Sequence, residues 1–315
     1  MGLLINGKWD SATDSKKFTG PTDGFHDAIT ANGSSGFKAE PGRYHLYISL
    51  ACPWASRTLI FRKLKKLEDI ISLSIVDPVM LEHGWVFSDA ENCIPDTVNQ
   101  CNYLHEIYTL AKNAYTGKVS VPVLWDKHKK TIVNNESVDI MRMFNSEFNA
   151  FGDESVDFYP QALRAEIDAM NEKVFIVNKG VYTAGFSDNQ KTYAEAFEAI
   201  FKQLAEFEEI ANKNEFLLGA RLTEADWRLF TTLVRFDAVY YVHFKCNLRR
   251  IIDYPHLDNY LRKLYQYSGI AETVNFDHIK RHYYLSHRHI NPMGIVPEGP
   301  ELDLSTPASD SIAQK

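Results

Sequence analysis

The stretch that decides the fold is Tyr44-His45-Leu46-Tyr47-Ile48-Ser49-Leu50-Ala51-Cys52-Pro53-Trp54-Ala55-Ser56-Arg57, continuing to Leu67. Residues 44–49 alternate as a strand does. Pro53 is suited to opening a helix, because its missing N–H is one of those a first turn leaves unbonded anyway. Leu59, Ile60, Leu64 and Leu67 then recur at helical spacing. Strand, Cys-Pro and helix in that order place the sulfur of Cys52 at a helix N-terminus, where unbonded N–H groups and the helix dipole favour an anion. Such surroundings lower a thiol pKa and raise its thiolate fraction at neutral pH. Arg57, about one turn further, adds positive charge. Where a two-thiol site would carry its second cysteine this chain has Ala55. A one-thiol site cannot close its own disulfide, so it forms a mixed disulfide that an external thiol must resolve.

Working outward, 70–76 is a short β-branched strand, 77–95 a loop and 96–115 a helix. Residues 119–125, Val-Ser-Val-Pro-Val-Leu-Trp, form a strand interrupted by Pro122. A basic turn at 126–130 leads to a strand at 131–133 and a helix at 136–144. The order is β-α-β, an insertion, then β-β-α. Proline within a strand removes a ladder donor. It marks either a cis Val121–Pro122 bond that offers the Val121 backbone to a peptide, or a trans proline on an edge strand. At the next helix start, Asn134-Asn135-Glu136-Ser137, Ser137 and the first-turn N–H groups can hold a carboxylate and Glu136 an ammonium. Taken alone, that tetrapeptide also reads as an ordinary capping sequence. Together the three elements describe a thiolate, a peptide-pairing edge and an amino-acid clamp. Glutathione offers a thiol, a peptide backbone and a γ-glutamyl zwitterion to match them.

From about residue 158 the pattern becomes helical. Phe197, Ile200, Phe201, Leu204 and Phe207 share one face of a helix over 190–212. In Leu222-Thr223-Glu224-Ala225-Asp226-Trp227, Thr223 is the N-cap and Asp226 stands at the capping-box position. Asp226 is accordingly read as a capping residue and not a catalytic acid. That helix is expected to run through the aromatic stretch to about Phe244, with further helices over 256–268 and 270–285. The organisation is thus an extended arm over 1–43, an α/β domain over 44–150, an all-helical domain over 158–290, and an extended tail over 291–315 that frays at its end.

Composition narrows the class. A length of 315 residues, 45% hydrophobic and 24% charged, suits a globular chain with a sizeable core. With a net charge of −7 and scattered basic residues, nucleic acid is not an expected partner. No apolar run approaches the roughly 20 residues of a membrane span, and the first residues do not read as a secretory signal. Cys52, Cys93, Cys101 and Cys246 show no Cys-x-x-Cys or zinc spacing, which fits a reducing, cytoplasmic setting without a metal. Cys93 and Cys101 are read as free thiols and Cys246 as a packed small hydrophobe. His282, His287 and His289 have no carboxylate or Cys companion at ligand spacing. Lys63–Lys66 and Arg249-Arg250 are read as solvated faces.

The element order, with Val121-Pro122-Val123-Leu124 and Glu136-Ser137, resembles the cytosolic glutathione transferases, and Cys52-Pro53-Trp54-Ala55 resembles their cysteine-type, omega-like branch. The chain is most similar to the glutathionyl-hydroquinone reductases, the xi class. That resemblance is carried by Cys52-Pro53-Trp54-Ala55-Ser56-Arg57, His83-Gly84-Trp85-Val86-Phe87, Tyr115-Thr116-Gly117 leading into Val121–Asp126, and Asn134-Asn135-Glu136-Ser137. It extends through Gly180-Val181-Tyr182-Thr183-Ala184-Gly185-Phe186, His243-Phe244-Lys245-Cys246-Asn247, His282-Tyr283-Tyr284-Leu285-Ser286-His287 and Asn291-Pro292-Met293-Gly294-Ile295-Val296-Pro297. It implies a thioredoxin-like N-terminal domain, an all-helical C-terminal domain and a homodimer. The implied activity is release of hydroquinone from its glutathionyl conjugate, with glutathione as co-substrate and no tightly bound cofactor. Cys52 is the implied nucleophile, and Trp85, Lys118, Val121, Glu136 and Ser137 the implied glutathione contacts. Tyr182 and Tyr283 are the implied proton donors, with Tyr240 or Tyr241 near the pocket and Tyr284 as the alternative to Tyr283. An omega-like thioltransferase or dehydroascorbate reductase would share the same thiol chemistry, and a non-catalytic module of the same fold would need none of it.

Overall fold

The computed structural model describes residues 2–13 and 18–308, so the parts of the arm and tail at 1, 14–17 and 309–315 lie outside the described residues. Two units are resolved by their internal contacts, Met1–Val156 and Asp157–Lys315.

The first unit opens with a hairpin, β1 (Leu3–Ile5) and β2 (Lys8–Asp10). Asn6 and Gly7 turn it at φ of 49° and 74°, the positive angles an Asn-Gly turn supplies. The arm is therefore partly ordered as a hairpin, and Leu4 pairs back to Gly117 by reciprocal backbone bonds of 3.0 and 2.9 Å. After it come β3 (Tyr44–Ile48), α1 (Pro53–Leu64), β4 (Ser72–Ile75), α2 (Leu104–Ala111), β5 (Val123–Asp126), β6 (Thr131–Asn134) and α3 (Ser137–Ser146). The sheet runs β4-β3-β5-β6, with β3 parallel to β4 and each later neighbour antiparallel. This is the thioredoxin-like β-α-β, β-β-α arrangement. All five residues of β3 are buried, and α1 and α3 pack against one another.

Four local expectations are corrected. The helix at 96–115 shrinks to α2, because Asp96 draws the N–H groups of Val98, Asn99 and Cys101 to its carboxylate and so holds that segment as a turn. The strand at 119–125 begins only at Val123, since Pro122 has no N–H to give the ladder. Lys65 is fully buried, with Nζ donating to Asn149 Oδ1 at 2.9 Å and Val156 O at 2.6 Å, so the 63–66 run is not uniformly a solvated face. The arm at 1–43 is joined to the sheet and not simply extended, as Asp27 N–H donates to Val133 O at 3.0 Å.

The second unit contains α4 (Arg164–Gly185), α5 (Gln190–Lys213), α6 (Glu224–Arg235), α7 (Pro255–Tyr265) and α8 (Phe276–Ser286). All twelve residues of α6 are buried, with α4 and α7 packed against it. Its start is the expected capping box. Asp226 accepts from Thr223 N at 2.8 Å, and also from Leu217 N at 2.8 Å and Tyr260 Oη at 2.9 Å. The expected continuation to Phe244 does not hold. A π-helical turn at Phe236–Tyr240 follows α6, closed by Tyr241 N–H to Phe236 O at 2.9 Å. Asp237 anchors that turn by accepting from Ile251 N at 2.6 Å and Ile252 N at 3.3 Å. The tail is held as far as it is described. Leu304 is buried, and Gln266 Nε2 donates to the Leu304 and Thr306 carbonyls at 2.8 and 2.7 Å. Among the described residues no helix is long and apolar enough to cross a membrane.

His45, wholly buried on β3, bonds Ser72 Oγ through Nδ1 at 2.7 Å and Ser74 Oγ through Nε2 at 2.9 Å. Burial pulls its pKa from the ordinary 6.5 down to about 4. Between those values the unfolded chain takes up a proton that the folded chain refuses. Stability is therefore full above the unfolded value and is lost as pH falls towards the folded one, by roughly 1–3 kcal/mol for this group. His45→Gln keeps a donor and an acceptor but does not titrate. In urea unfolding followed across that interval, it should lose less stability on acidification than the wild type; an equal loss would refute the assignment.

Candidate active site

Cys52 is the N-cap of α1, with φ −78° and ψ 119°, and Pro53 is the first helical residue. The cysteine N–H donates to Ser49 O at 3.2 Å and its carbonyl accepts from Ser56 N at 2.9 Å. These bonds fix the strand-to-helix corner, leaving a half-buried sulfur at the end where the helix amides converge. Sγ lies 3.8 Å from the Val121 carbonyl oxygen. The Val121–Pro122 bond is cis, so the first of the two proline alternatives is the one adopted. Arg57 is buried on α1, its guanidinium 4.3 Å from the Trp54 ring centroid. Two other thiols sit where the thiolate is disfavoured. Burial, aided by the Asp96 charge, pushes Cys101 up to about 12, and burial pushes Cys246 to about 12 as well.

The expected amino-acid clamp stands at the start of α3. Glu136 is its N-cap and exposed, while Ser137 is its first residue and buried. Asn134 shapes the corner, accepting from Glu136 N at 2.7 Å and donating to Asp27 O at 2.9 Å. Buried Tyr108 was not singled out from the sequence. Its hydroxyl donates to Ser120 O at 2.8 Å and accepts from Asn135 Nδ2 at 3.2 Å, tying Asn135, just before α3, to the residue before Val121. No local pattern distinguishes it from an ordinary apolar-face residue of α2, beside buried Leu104 and Ile107. Trp85 is buried, and its carbonyl takes the first amide of α2, Leu104 N, at 2.9 Å. Lys118 is exposed, with its carbonyl accepting from Tyr115 Oη at 3.1 Å.

In the second unit, Tyr182 from α4, Tyr240 from the π-helical turn and Tyr283 from α8 bring their hydroxyls together. Tyr182 Oη and Tyr283 Oη are in hydrogen-bond contact, Tyr240 Oη lies 3.0 Å from Tyr283 Oη, and Tyr182 to Tyr240 is 3.5 Å. Tyr240 and Tyr283 are fully buried and Tyr182 half-buried. Burial drives the Tyr283 pKa well above its ordinary value, so this phenol stays protonated at neutral pH. Tyr241 and Tyr284 are outside this cluster. Tyr284 turns its hydroxyl to Ala238 O at 3.3 Å, and Tyr241 is half-exposed, one position beyond the π-helical turn. The cause is geometric, since adjacent residues on a helix diverge by about 100° and only one can face a given point.

An aromatic wall surrounds the phenols. Phe244 stacks on Tyr240 with centroids 5.4 Å apart, and His287 meets Tyr283 edge-on at 5.4 Å. Gly185 is required here, because a Cβ would lie 2.2 Å from the Phe244 ring. His243 Nε2 and His287 Nδ1 are 3.2 Å apart, and burial lowers the His243 pKa to about 4, which keeps that ring neutral. The pairing joins residues 44 positions apart, and no sequence pattern relates the two.

The profile described as glutathione S-transferase, N-terminal domain, matches residues 51–147, and that described as glutathione S-transferase, C-terminal domain, matches residues 190–263. Glutathionyl-hydroquinone reductase YqjG of Escherichia coli is 51% identical over 320 residues, spanning 98% of each chain. Glutathionyl-hydroquinone reductase PcpF of Sphingobium chlorophenolicum is 49% identical over 302 residues, 95% of this chain and 96% of the other. The glutathione-bound structure of YqjG superposes with a TM-score of 0.91 at 50% identity, covering 98% of both chains. A xi class glutathione transferase from Natrialba magadii superposes with a TM-score of 0.94 at 46% identity, covering 98% of this chain and 96% of that one.

The contrast among thiols predicts selective labelling. Limiting iodoacetamide at neutral pH should alkylate Cys52 before Cys101 or Cys246, since only a thiolate reacts readily. Peptide mapping checks this, and loss of the fast phase in Cys52→Ser confirms the residue. Labelling of Cys101 or Cys246 as fast as Cys52 would contradict it.

Proposed function

The chain belongs to the xi class of the glutathione transferases, and from that membership we propose that it reduces glutathionyl-hydroquinones to hydroquinones with glutathione as reductant. YqjG and PcpF carry that activity in their names, and YqjG has been solved with glutathione bound. The observation that carries the reading from thiol chemistry in general to hydroquinones is the shared focus of the Tyr182, Tyr240 and Tyr283 hydroxyls. Reduction of a disulfide has no need of several phenols gathered at one point, whereas release of an aromatic carbon from sulfur needs a proton for that carbon and donors for ring oxygens.

The steps follow from that assignment. The Cys52 thiolate attacks the sulfur of the glutathionyl group, forming an S–S bond as the bond between that sulfur and the aromatic carbon breaks. The electron pair of the broken bond stays on the ring carbon, which takes a proton supplied through Tyr182 and Tyr283, and hydroquinone departs. A glutathione thiolate then attacks the glutathionyl sulfur of the mixed disulfide, releasing glutathione disulfide and restoring the Cys52 thiolate. The balance is one conjugate and one glutathione consumed, one hydroquinone and one glutathione disulfide formed. Glutathione is held by its peptide backbone at Val121 and by its γ-glutamyl end at Glu136 and Ser137. Trp85 and Lys118 complete that set. The half-buried Tyr182 meets the ring, and the buried Tyr283 holds its hydroxyl in place.

The expected product of incubation with glutathionyl-menadiol is a glutathione adduct on Cys52, seen in intact mass and absent in Cys52→Ser. No adduct at any pH up to about 8.5, the ordinary thiol value, would leave a non-catalytic module of this fold as the better reading. The phenols are tested separately. Tyr182→Phe and Tyr283→Phe should each cut hydroquinone release by roughly 10²-fold or more, the usual worth of a positioned proton donor, while sparing reduction of a small mixed disulfide. Equal losses on both substrates would remove the tyrosines from proton transfer and favour a thioltransferase.

A further inference from the structure

Trp9, on the N-terminal hairpin, lies in a part of the chain to which the proposed chemistry assigns no role. Its indole Nε1–H donates to the Glu82 carbonyl at 2.8 Å. The same ring fills the space over Gly84, where φ is 68° and an added Cβ would stand 3.0 Å from the indole carbons. Trp9 also stacks on His105 with centroids 4.9 Å apart and an interplanar angle of 13°. His105 stacks on Tyr103 at 5.1 Å, and Tyr103 meets His83 at 4.9 Å. Four rings from three segments, the hairpin, the 82–85 loop and the start of α2, thus form one ladder. Trp85 is the next residue along that loop, pinned on its other side by Leu104 N–H to its carbonyl at 2.9 Å.

The hairpin is equally fixed at its other edge. Leu4 exchanges backbone bonds with Gly117, Gly7 N–H donates to Tyr115 O at 2.9 Å, and Asn6 N–H to Thr116 Oγ1 at 2.9 Å. Residues 115–117 lead directly to Lys118 and Val121. The hairpin therefore ties together the two stretches, 82–85 and 115–121, that carry Trp85, Lys118 and Val121.

We propose that Trp9 is a positioning residue for glutathione, holding the 82–85 loop so that Trp85 stands ready for the tripeptide before it arrives. The inference rests on the glutathione chemistry proposed above and adds to it a part of the binding site contributed by the arm. A side chain that pre-orders a binding loop acts on affinity and leaves the chemical step alone. Its loss therefore raises KM and leaves kcat at saturation nearly unchanged.

The test uses the full chain with Trp9→Ala and Trp9→Phe, read by hydrogen exchange and by calorimetric titration of glutathione into Cys52→Ser versions. Phenylalanine keeps the stacked ring but has no indole N–H. Trp9→Ala should speed exchange of the Gly84 and Leu104 amides and weaken glutathione binding roughly tenfold. Trp9→Phe should restore part of this, leaving a weakening of about fivefold, the worth of one neutral hydrogen bond. KM for glutathionyl-menadiol should follow these factors, with kcat within about twofold of the wild type. Coupling is reciprocal, so glutathione added to the wild-type protein should slow exchange at Leu4 and Gly7, a readout that does not depend on any variant folding. Native exchange at 81–88 and unaltered affinity in Trp9→Ala would overturn the proposal, as would unchanged hairpin exchange in ligand-saturated wild type. Failure of the Cys52→Ser parent to bind glutathione would instead overturn the functional reading on which it rests.

Discussion

β3 has every residue buried and a partner strand on each edge. A shift of one residue would turn each of its side chains to the opposite face, so its register is strongly fixed. At its start, Arg43 grips the buried carboxylate of Asp126 with two donors, Nε 3.1 Å from Oδ1 and Nη2 2.5 Å from Oδ2, closing the β3–β5 pair with a two-point bond. At its other end the chain has four residues, Ser49 to Cys52, in which to turn before Pro53 starts α1. The position of the Cys52 sulfur follows from those limits. The core that stabilises the unit therefore also places that sulfur at the start of α1.

How much of this was legible depends on how local the signal is. The Cys52-Pro53 corner, the Pro122 interruption and the Thr223/Asp226 box are each written within a few residues, and each appears where expected. The elements misjudged are those in which distant groups compete with local preference. Asp96 breaks a plausible helix because Tyr47, from β3, also bonds its carboxylate at 2.9 Å and holds it there. Lys65 sits in a basic run that reads as surface, and is buried because Asn149 and Val156 supply two oxygens from more than eighty positions away. Tyr108 links Ser120 and Asn135 without a motif, since a buried phenol is recognisable only once its partners are in place.

The choice between neighbouring tyrosines was illegible for a related reason. On a regular helix continued past Arg235, nothing in the sequence separates Tyr240 from Tyr241. The π-helical turn inserts one residue into the repeat and so changes which side chain faces inward. What fixes that turn is the Asp237 carboxylate, held by amides fourteen and fifteen residues further on. Asp237 itself is desolvated, and burial raises its pKa above the ordinary carboxylate range. A charge-bearing residue is thus buried to set the direction of an uncharged one, a cost consistent with strict placement of Tyr240.

The three hydroxyls then impose their own arithmetic. Each phenol has one proton to give and can accept more than one bond. A closed triangle of equal bonds would direct every proton inward and leave none for a substrate. The arrangement is instead a V centred on Tyr283, whose contacts to Tyr182 and Tyr240 are short while the third side reaches 3.5 Å. Tyr283 can donate to only one of its neighbours and must accept from, or merely touch, the other. If Tyr240 donates to Tyr283 and Tyr283 to Tyr182, the proton at the end of the chain belongs to Tyr182, the one phenol of the three that is not fully buried. Raising the Tyr283 pKa by burial keeps that chain protonated, and each donated bond makes the next hydroxyl a better donor. In that direction each buried hydroxyl polarises the next, and Tyr240 acts on the half-buried Tyr182 chiefly through Tyr283.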